Sequence, residues 1–219
     1  MDIVEEAKNY LVSYIKGKES DNGKDYPWQQ GWEFIVRHSF RVESYTAAII
    51  GSEGGIEKED EMLIRTAAVL HDIGSLDNRK NHAKTGAQIV KNWCFHKEYI
   101  EKQLDVKKLV ALIAGHSRKN GKDKDICEAI LKDADVIDEI GATSIIMRAH
   151  EEDSDKNSYL TDIITRIRTE ESDYIDKKMK KLNTKTAKEI LKRKADFLEQ
   201  FCIELEEETA SPDELKIYL

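Results

Sequence analysis

Proline is nearly absent from this sequence, at 2 residues in 219, and glycine is sparse at 11. A chain with so few obligatory breaks, and with 36% charged residues, suits one large helical domain or a domain with a helical extension. Cysteine is scarce too. Cys94, Cys127 and Cys202 are odd in number, far apart and in no CxxC spacing, which points away from a disulfide framework or a thiolate zinc site. No apolar run approaches the roughly 20 residues that a membrane-spanning helix needs. Basic blocks are missing as well: 43 acids against 35 bases give a formal charge of -8, with the two signs interleaved. Long nucleic acid is therefore not an expected partner, whereas a small anionic substrate remains open because one local metal ion outweighs a distant surface charge. The opening MDIVEEAKNYLV is acidic where an export signal is basic, so the expectation is a soluble cytoplasmic protein with no membrane contact.

What is present is helical periodicity. Ile3, Val4, Ala7, Leu11, Tyr14 and Ile15 recur at three- and four-residue steps and stop near Gly17, one apolar stripe. KESDNGKDYPWQQG reads as a loop. The period resumes from about Trp32 through Phe34, Val42, Tyr45 and Ile49, and ends in GSEGG, whose glycines can adopt the left-handed conformation that closes helices. His38 lies on that stripe, one turn from Phe34 and Val42. A third helix is expected over about Glu57 to Asp72, which puts His71 and Asp72 at its C-terminal edge. AKTGAQIVKNW, VKKLVALIAGH and DICEAILKDADVIDEIGATSIIMRAH continue in kind. A final amphipathic helix, about Thr184 to Glu207, would close the core or serve a contact between two copies of the chain.

The chain has six histidines: His38, His71, His82, His96, His116 and His150. His38 and His71 occupy apolar helical neighbourhoods, where an unpaired imidazole would be costly to bury, so each needs a partner. Consecutive residues on a helix point about 100° apart, so His71 and Asp72 could share one ion mainly where their helix ends. His38 from a second segment and an aspartate from a third would complete a mixed nitrogen and oxygen shell. Such a shell suits manganese, iron, cobalt, nickel or magnesium-like ions better than a closed structural zinc site. Read alone, the acidic cluster Asp133, Asp135 and Asp138 is better taken as a solvated helix face, because unpaired Asp is seldom buried.

The ordered set RHSFRV, AAVLHDIG, NHAKTGAQI, IAGHS and LKDADVIDEIGA resembles the HD-domain superfamily of metal-dependent phosphohydrolases. That signature is a His, then a His-Asp pair, then a distant Asp. Within it the chain is similar to small stand-alone bacterial HD hydrolases, among which nucleoside triphosphate pyrophosphohydrolase activity is known. The resemblance implies an all-α, single-domain HD-type bundle. Positions 1–31 would be an N-terminal helix and loop packing on the core, 32–150 the metal-binding core, and 151–219 helices completing the same domain. It implies His38, His71, Asp72 and Asp135 as ligands of a divalent ion (manganese, magnesium, cobalt, nickel or iron), with Asp133 and Asp138 as competitors for the last place. It also implies His82 and His116 as accessory groups for substrate phosphate, proton donation or a second metal, with a helix cap and a helix-end histidine as their structural alternatives. Arg148, in IIMRAH, is the foremost cation for substrate, ahead of Arg37, Arg41, Lys84 and Arg118. The implied reaction is attack of metal-activated water on phosphorus in a small phosphorylated substrate, a nucleotide by preference, with Asp72 as base. The alternatives are a di-iron HD-type oxygenase and a non-catalytic nucleotide or metal sensor. His96 and His150 match no motif and are expected at the surface.

Overall fold

The computed structural model describes residues 2–19, 29, 31–95, 97–119 and 123–210. Most of the expected loop, residues 20–28 and 30, and His96 lie outside the described residues. Helices dominate. Among the described residues no strand forms, and an isolated antiparallel bridge pairs Glu19 with Gly31. None of the described helices is long and apolar enough to cross a membrane. The chain divides into two compact units, Met1–Asp138 with Asn183–Ala187, and Glu139–Leu182 with Lys188–Leu219.

The first unit contains α1 (Ile3–Ile15), α2 (Trp32–Glu53), α3 (Lys58–Leu70), α4 (His82–Phe95), α5 (Glu98–Glu101), α6 (Val106–Gly115) and α7 (Ile126–Asp138). Short polar side chains start several of them: Asp2 accepts from Val4 N at 2.9 Å, Asp105 from Lys108 N at 2.9 Å, and Asp125 from Cys127 N at 2.8 Å. Each bond satisfies a backbone donor that the first helical turn leaves without a partner. α1 stops where Gly17 takes a positive φ of 78°, and α2 where Gly54 takes 69°, conformations glycine adopts without steric cost.

α3 is the hub, packing against α1, α2, α6 and α7. Its Leu63, Ile64, Ala67, Ala68, Val69 and Leu70 are all buried, and each large aliphatic removed from water contributes roughly 1.5–3 kcal/mol. α7 is buried on every side from Ala129 to Asp138. Its charged residues are therefore held inside the unit, each with a partner. The carboxylate of Asp133 accepts from the backbone N–H groups of Asn183 and Thr184 at 3.0 and 2.7 Å, tying the start of α11 (Lys185–Thr209) to α7. Lys132 pairs with Asp123 and Glu128, both at 2.7 Å.

The second unit holds α8 (Ala142–Glu151), α9 (Tyr159–Arg166), a π-helical turn over Ile167–Glu171, α10 (Ser172–Met179) and most of α11. Ile163, Ile164, Ile167, Ile175, Leu191 and Leu198 form its apolar interior. Arginine–carboxylate pairs surround it: Arg148 with Glu171 at 3.0 Å, Arg166 with Glu151 at 2.9 Å, and Arg168 with Glu199 at 2.8 Å.

Candidate metal centre

The helix expected to run through Asp72 ends just before the HD pair. α3 stops at Leu70, and the chain continues through His71 to Asn78 in tight turns. Ile73 N donates to Leu70 O, Ser75 N to Asp72 O, and Asn78 N to Gly74 O at 3.0 Å. Gly74 makes this turn fit against α4: a methyl group at its Cα would lie 2.5 Å from Gly86 N and 2.6 Å from His82 O. The absence of a side chain thus lets α4 begin directly over the HD pair and brings His82 to it.

Four imidazoles and two carboxylates meet in this region. His38 Nε2 lies 3.1 Å from His71 Nε2, and His82 Nε2 lies 3.2 Å from His116 Nε2. Asp135 Oδ1 is 3.4 Å from His38 Nε2 and 3.7 Å from His71 Nε2. Asp72 faces both pairs, with Oδ2 3.8 Å from His38 Nε2 and Oδ1 3.5 Å from the Nε2 atoms of both His82 and His116. Ligand atoms of His38, His71 and Asp72, of His71, His116 and Asp135, and of Asp72, His82 and His116 form three overlapping sets close enough to hold an ion.

The other ring nitrogen of every imidazole is occupied. Nδ1 of His71 is 2.8 Å from Ala68 O, that of His116 2.7 Å from Ile113 O, and that of His82 3.0 Å from Arg79 O. A carbonyl oxygen only accepts, so these Nδ1 atoms carry protons, and each ring in its neutral form presents an Nε2 lone pair inward. His38 Nδ1 donates likewise to Asp138 Oδ2, at 2.8 Å. Two lone pairs 3 Å apart repel unless a proton or cation lies between them, and the acids beside them also favour positive charge. Imidazole nitrogen with carboxylate oxygen is a donor set that divalent manganese, iron, cobalt and nickel accept. The residues present therefore fit a divalent ion.

The electrostatics agree with such a site. Burial opposes ionisation of Asp72, yet the imidazoles of His71, His116 and His38 hold its carboxyl well below the usual range. Burial opposes ionisation of Asp135 too, and Lys119, His38 and His71 hold it down. Burial pushes the His38 ring down, but hydrogen bonds to Asp135 and Asp138 and the charges of Asp135 and Asp72 raise it to about 10. His116 is raised against its own burial by Asp72, whereas burial prevails at His82 and lowers it.

The structure brings together six of the seven residues expected at the site: His38, His71, Asp72, His82, His116 and Asp135. Arg148 belongs to the second unit, where its guanidinium is bonded to Glu171 and Glu151. Arg37, Lys84 and Arg118 are exposed, and so is His150. Of the two competing aspartates, Asp133 caps residues 183 and 184, and Asp138 stands behind His38. Sequence reasoning passed over Lys119, whose Nζ is 2.8 Å from Asp135 Oδ2. Its spacing of three residues from His116 was the available signal.

Residues 35–140 match the HD domain family. No curated protein gives a significant match. Among solved structures, an HD-superfamily hydrolase from Bacillus thuringiensis is 20% identical, with a TM-score of 0.61 over 95% of this chain and 98% of that one. A predicted HD superfamily hydrolase from an uncultured Thermotogales bacterium is also 20% identical, with a TM-score of 0.58 over 94% and 92%. Bacillus subtilis YpgQ, solved in complex with ADP, is 19% identical, with a TM-score of 0.57 over 95% and 98%. At these identities the likeness is one of fold. The HD domain thus runs from the segment that carries His38 to the one that carries Asp135, and the chain shares its fold with HD-superfamily hydrolases.

Proposed function

We propose that the chain hydrolyses a phosphate ester or anhydride of a small phosphorylated substrate, a nucleotide by preference, at a divalent ion held by His38, His71, Asp72 and Asp135. The observation that carries this reading is the pair of inward-facing Nε2 atoms on His38 and His71, 3.1 Å apart beside Asp72 and Asp135. ADP bound on the similar fold of Bacillus subtilis YpgQ supports a nucleotide ligand, and nucleoside triphosphate pyrophosphohydrolysis is the narrower reaction that the sequence resemblance implies.

When bound, the ion would draw phosphate oxygens and lower the pKa of water from about 15.7 toward about 7. Asp72, kept ionised by the surrounding imidazoles, would take the proton from the attacking water. His116 retains a proton more readily than a free imidazole does and so can protonate the leaving oxygen. His82, less buried than His116, would contact the substrate phosphate.

The test is metal analysis followed by assays of phosphate and pyrophosphate release over nucleotides with manganese, magnesium, cobalt and nickel. The double variant His71→Ala, Asp72→Ala is expected to lose both metal and turnover while keeping its helical content. Turnover undiminished in that variant refutes the assignment.

One observation favours a second reading. Asp72 directs one oxygen toward His38 and the other toward His82 and His116, so the same groups could divide between two ions, as a di-iron oxygenase requires. Two metals per chain with dioxygen-dependent turnover would select it.

A further inference from the structure

We propose that Arg41 and Asp138 act as one positioning unit for His38, fixing its ring so that Nε2 faces the metal site. This inference rests on the metal-binding reading above.

Three of the four imidazoles are oriented by their own chain. His71, His82 and His116 each direct Nδ1 to the carbonyl three residues earlier, on Ala68, Arg79 and Ile113. The first and last of these carbonyls are available because His71 and His116 follow the ends of α3 and α6, where terminal carbonyls have no amide partner within the helix. The Arg79 carbonyl belongs to the short 3-10 turn before α4. His38 has no such option. It stands inside α2, six residues beyond Trp32, where the preceding carbonyls accept from helical amides. Its acceptor must come from elsewhere, and Asp138 supplies it at 2.8 Å.

The carboxylate is itself fixed. Arg41 Nε donates to Asp138 Oδ1 at 2.7 Å and Nη2 to Oδ2 at 2.8 Å, the bidentate fork that allows a single relative orientation. The spacing matches across the two helices. His38 and Arg41 are three residues apart on α2, and Asp135 and Asp138 three apart on α7. His38 thus meets Asp135 through one nitrogen and Asp138 through the other. The Asp138 side chain is 3% exposed and that of Arg41 45%, so the guanidinium bridges solvent and a buried acid. It offsets the negative charge of Asp138, which consequently serves as an acceptor behind the ring and not as a further ligand. Asp138 and Arg41, each a candidate for direct contact with metal or phosphate from sequence, become supports for His38.

The test is manganese titration calorimetry on the full chain, with wild type, Asp138→Asn, Arg41→Gln and the double variant, each accompanied by the metal-free melting curve. Loss of a partner behind a ligand histidine typically weakens metal binding about 10- to 100-fold, and that fall is expected for Asp138→Asn. Arg41→Gln should weaken binding less, and should add nothing in the Asp138→Asn background, because Arg41 acts only through Asp138. A metal-free Tm that falls with no change in affinity would mean that the pair merely joins α2 to α7, and overturns the proposal. So does a further loss in the double variant. If Asp138→Asn does not fold, the exposed Arg41→Gln decides: affinity equal to wild type overturns the proposal. A wild-type chain that binds none of the four ions removes the metal site itself, which separates that failure from failure of the positioning unit alone.

Discussion

Gly74→Ala and Gly86→Ala should behave oppositely, although the two glycines touch. At Gly74 the new methyl would meet backbone atoms on α4, Gly86 N at 2.5 Å and His82 O at 2.6 Å. To reach the 3.4 Å at which ordinary contact begins, the turn and the first residues of α4 must part by roughly 0.9 Å. Backbone cannot swing aside like a side chain, so the overpacking cost should reach about 2 kcal/mol. For a chain of this length that is a fall of roughly 4–8 °C in Tm. The same separation moves His82 away from Asp72 and His116, from which it now lies 3.5 and 3.2 Å, and a displacement of about 1 Å can cost 100-fold in rate. At Gly86 the methyl would find its nearest neighbours at 3.4–3.5 Å, an ordinary contact distance. Its position inside α4 favours alanine by about 1 kcal/mol. Gly86→Ala should therefore match or exceed the wild-type Tm and keep its turnover. The assay is paired thermal melts with phosphate release at saturating metal; equal Tm for the two variants would refute the argument from close approach.

Three further outcomes follow from the geometry. Asp133→Ala leaves the backbone N–H groups of Asn183 and Thr184 and the Thr184 hydroxyl without their acceptor. At about 1–3 kcal/mol for each of the three donors, the Tm should drop by at least about 6 °C at 2–4 °C per kcal/mol, and a drop under about 3 °C would contradict the clamp. Manganese at about 100 times its Kd should stabilise the wild type by about 2.7 kcal/mol, an increment read as a Tm shift that chelator reverses and the His71→Ala, Asp72→Ala variant lacks; persistence of the shift in that variant would exclude the assigned ligands. Burial raises the Cys94 and Cys127 thiols to about 11, with Glu101 adding to the rise at Cys94 and Lys108 opposing it at Cys127. Because only the thiolate reacts, modification of the folded chain should be slow at pH 8 and accelerate toward pH 11, whereas guanidinium should release all three cysteines at once. The sign for stability follows: folded values above the ordinary 9.0 favour the fold below pH 9 and withdraw that support as pH rises through about 11. Equal thiol reactivity in folded and unfolded chains would contradict it.

The elements were legible where local chemistry decides them. The periodic stripe of α1 ends at Ile15, two residues before Gly17, and the final helix expected over Thr184 to Glu207 runs from Lys185 to Thr209. The periodicity extends the third helix through the HD pair, whereas α3 stops at Leu70 and His71 to Asn78 fold into tight turns whose Gly74 packs against α4. The site was legible through the order of its motifs. The acidic cluster was not legible from periodicity, which allowed a solvated face, whereas Asp133, Asp135 and Asp138 are 1%, 5% and 9% exposed. Their burial depends on partners far along the chain: Asn183 and Thr184 for Asp133, and His38 and Arg41 for Asp138. A pattern of hydrophobicity within one helix carries no information about such partners.

That contrast bears on how the centre assembles. The ring orientation of His71, His82 and His116 is set within a single turn of chain, so each can form as soon as its own helix end forms. The orientation of His38, and the shared approach of His38 and His71 to Asp135, require α2, α3 and α7 to be docked together. α7 packs against α2, α3 and α6 and has no exposed residue from Ala129 to Asp138. The donors most dependent on tertiary packing are thus placed by the most buried helix of the unit. An ion that binds them draws on the same contacts that hold the unit folded, and so metal affinity and the stability of the α2–α7 contact must rise or fall together.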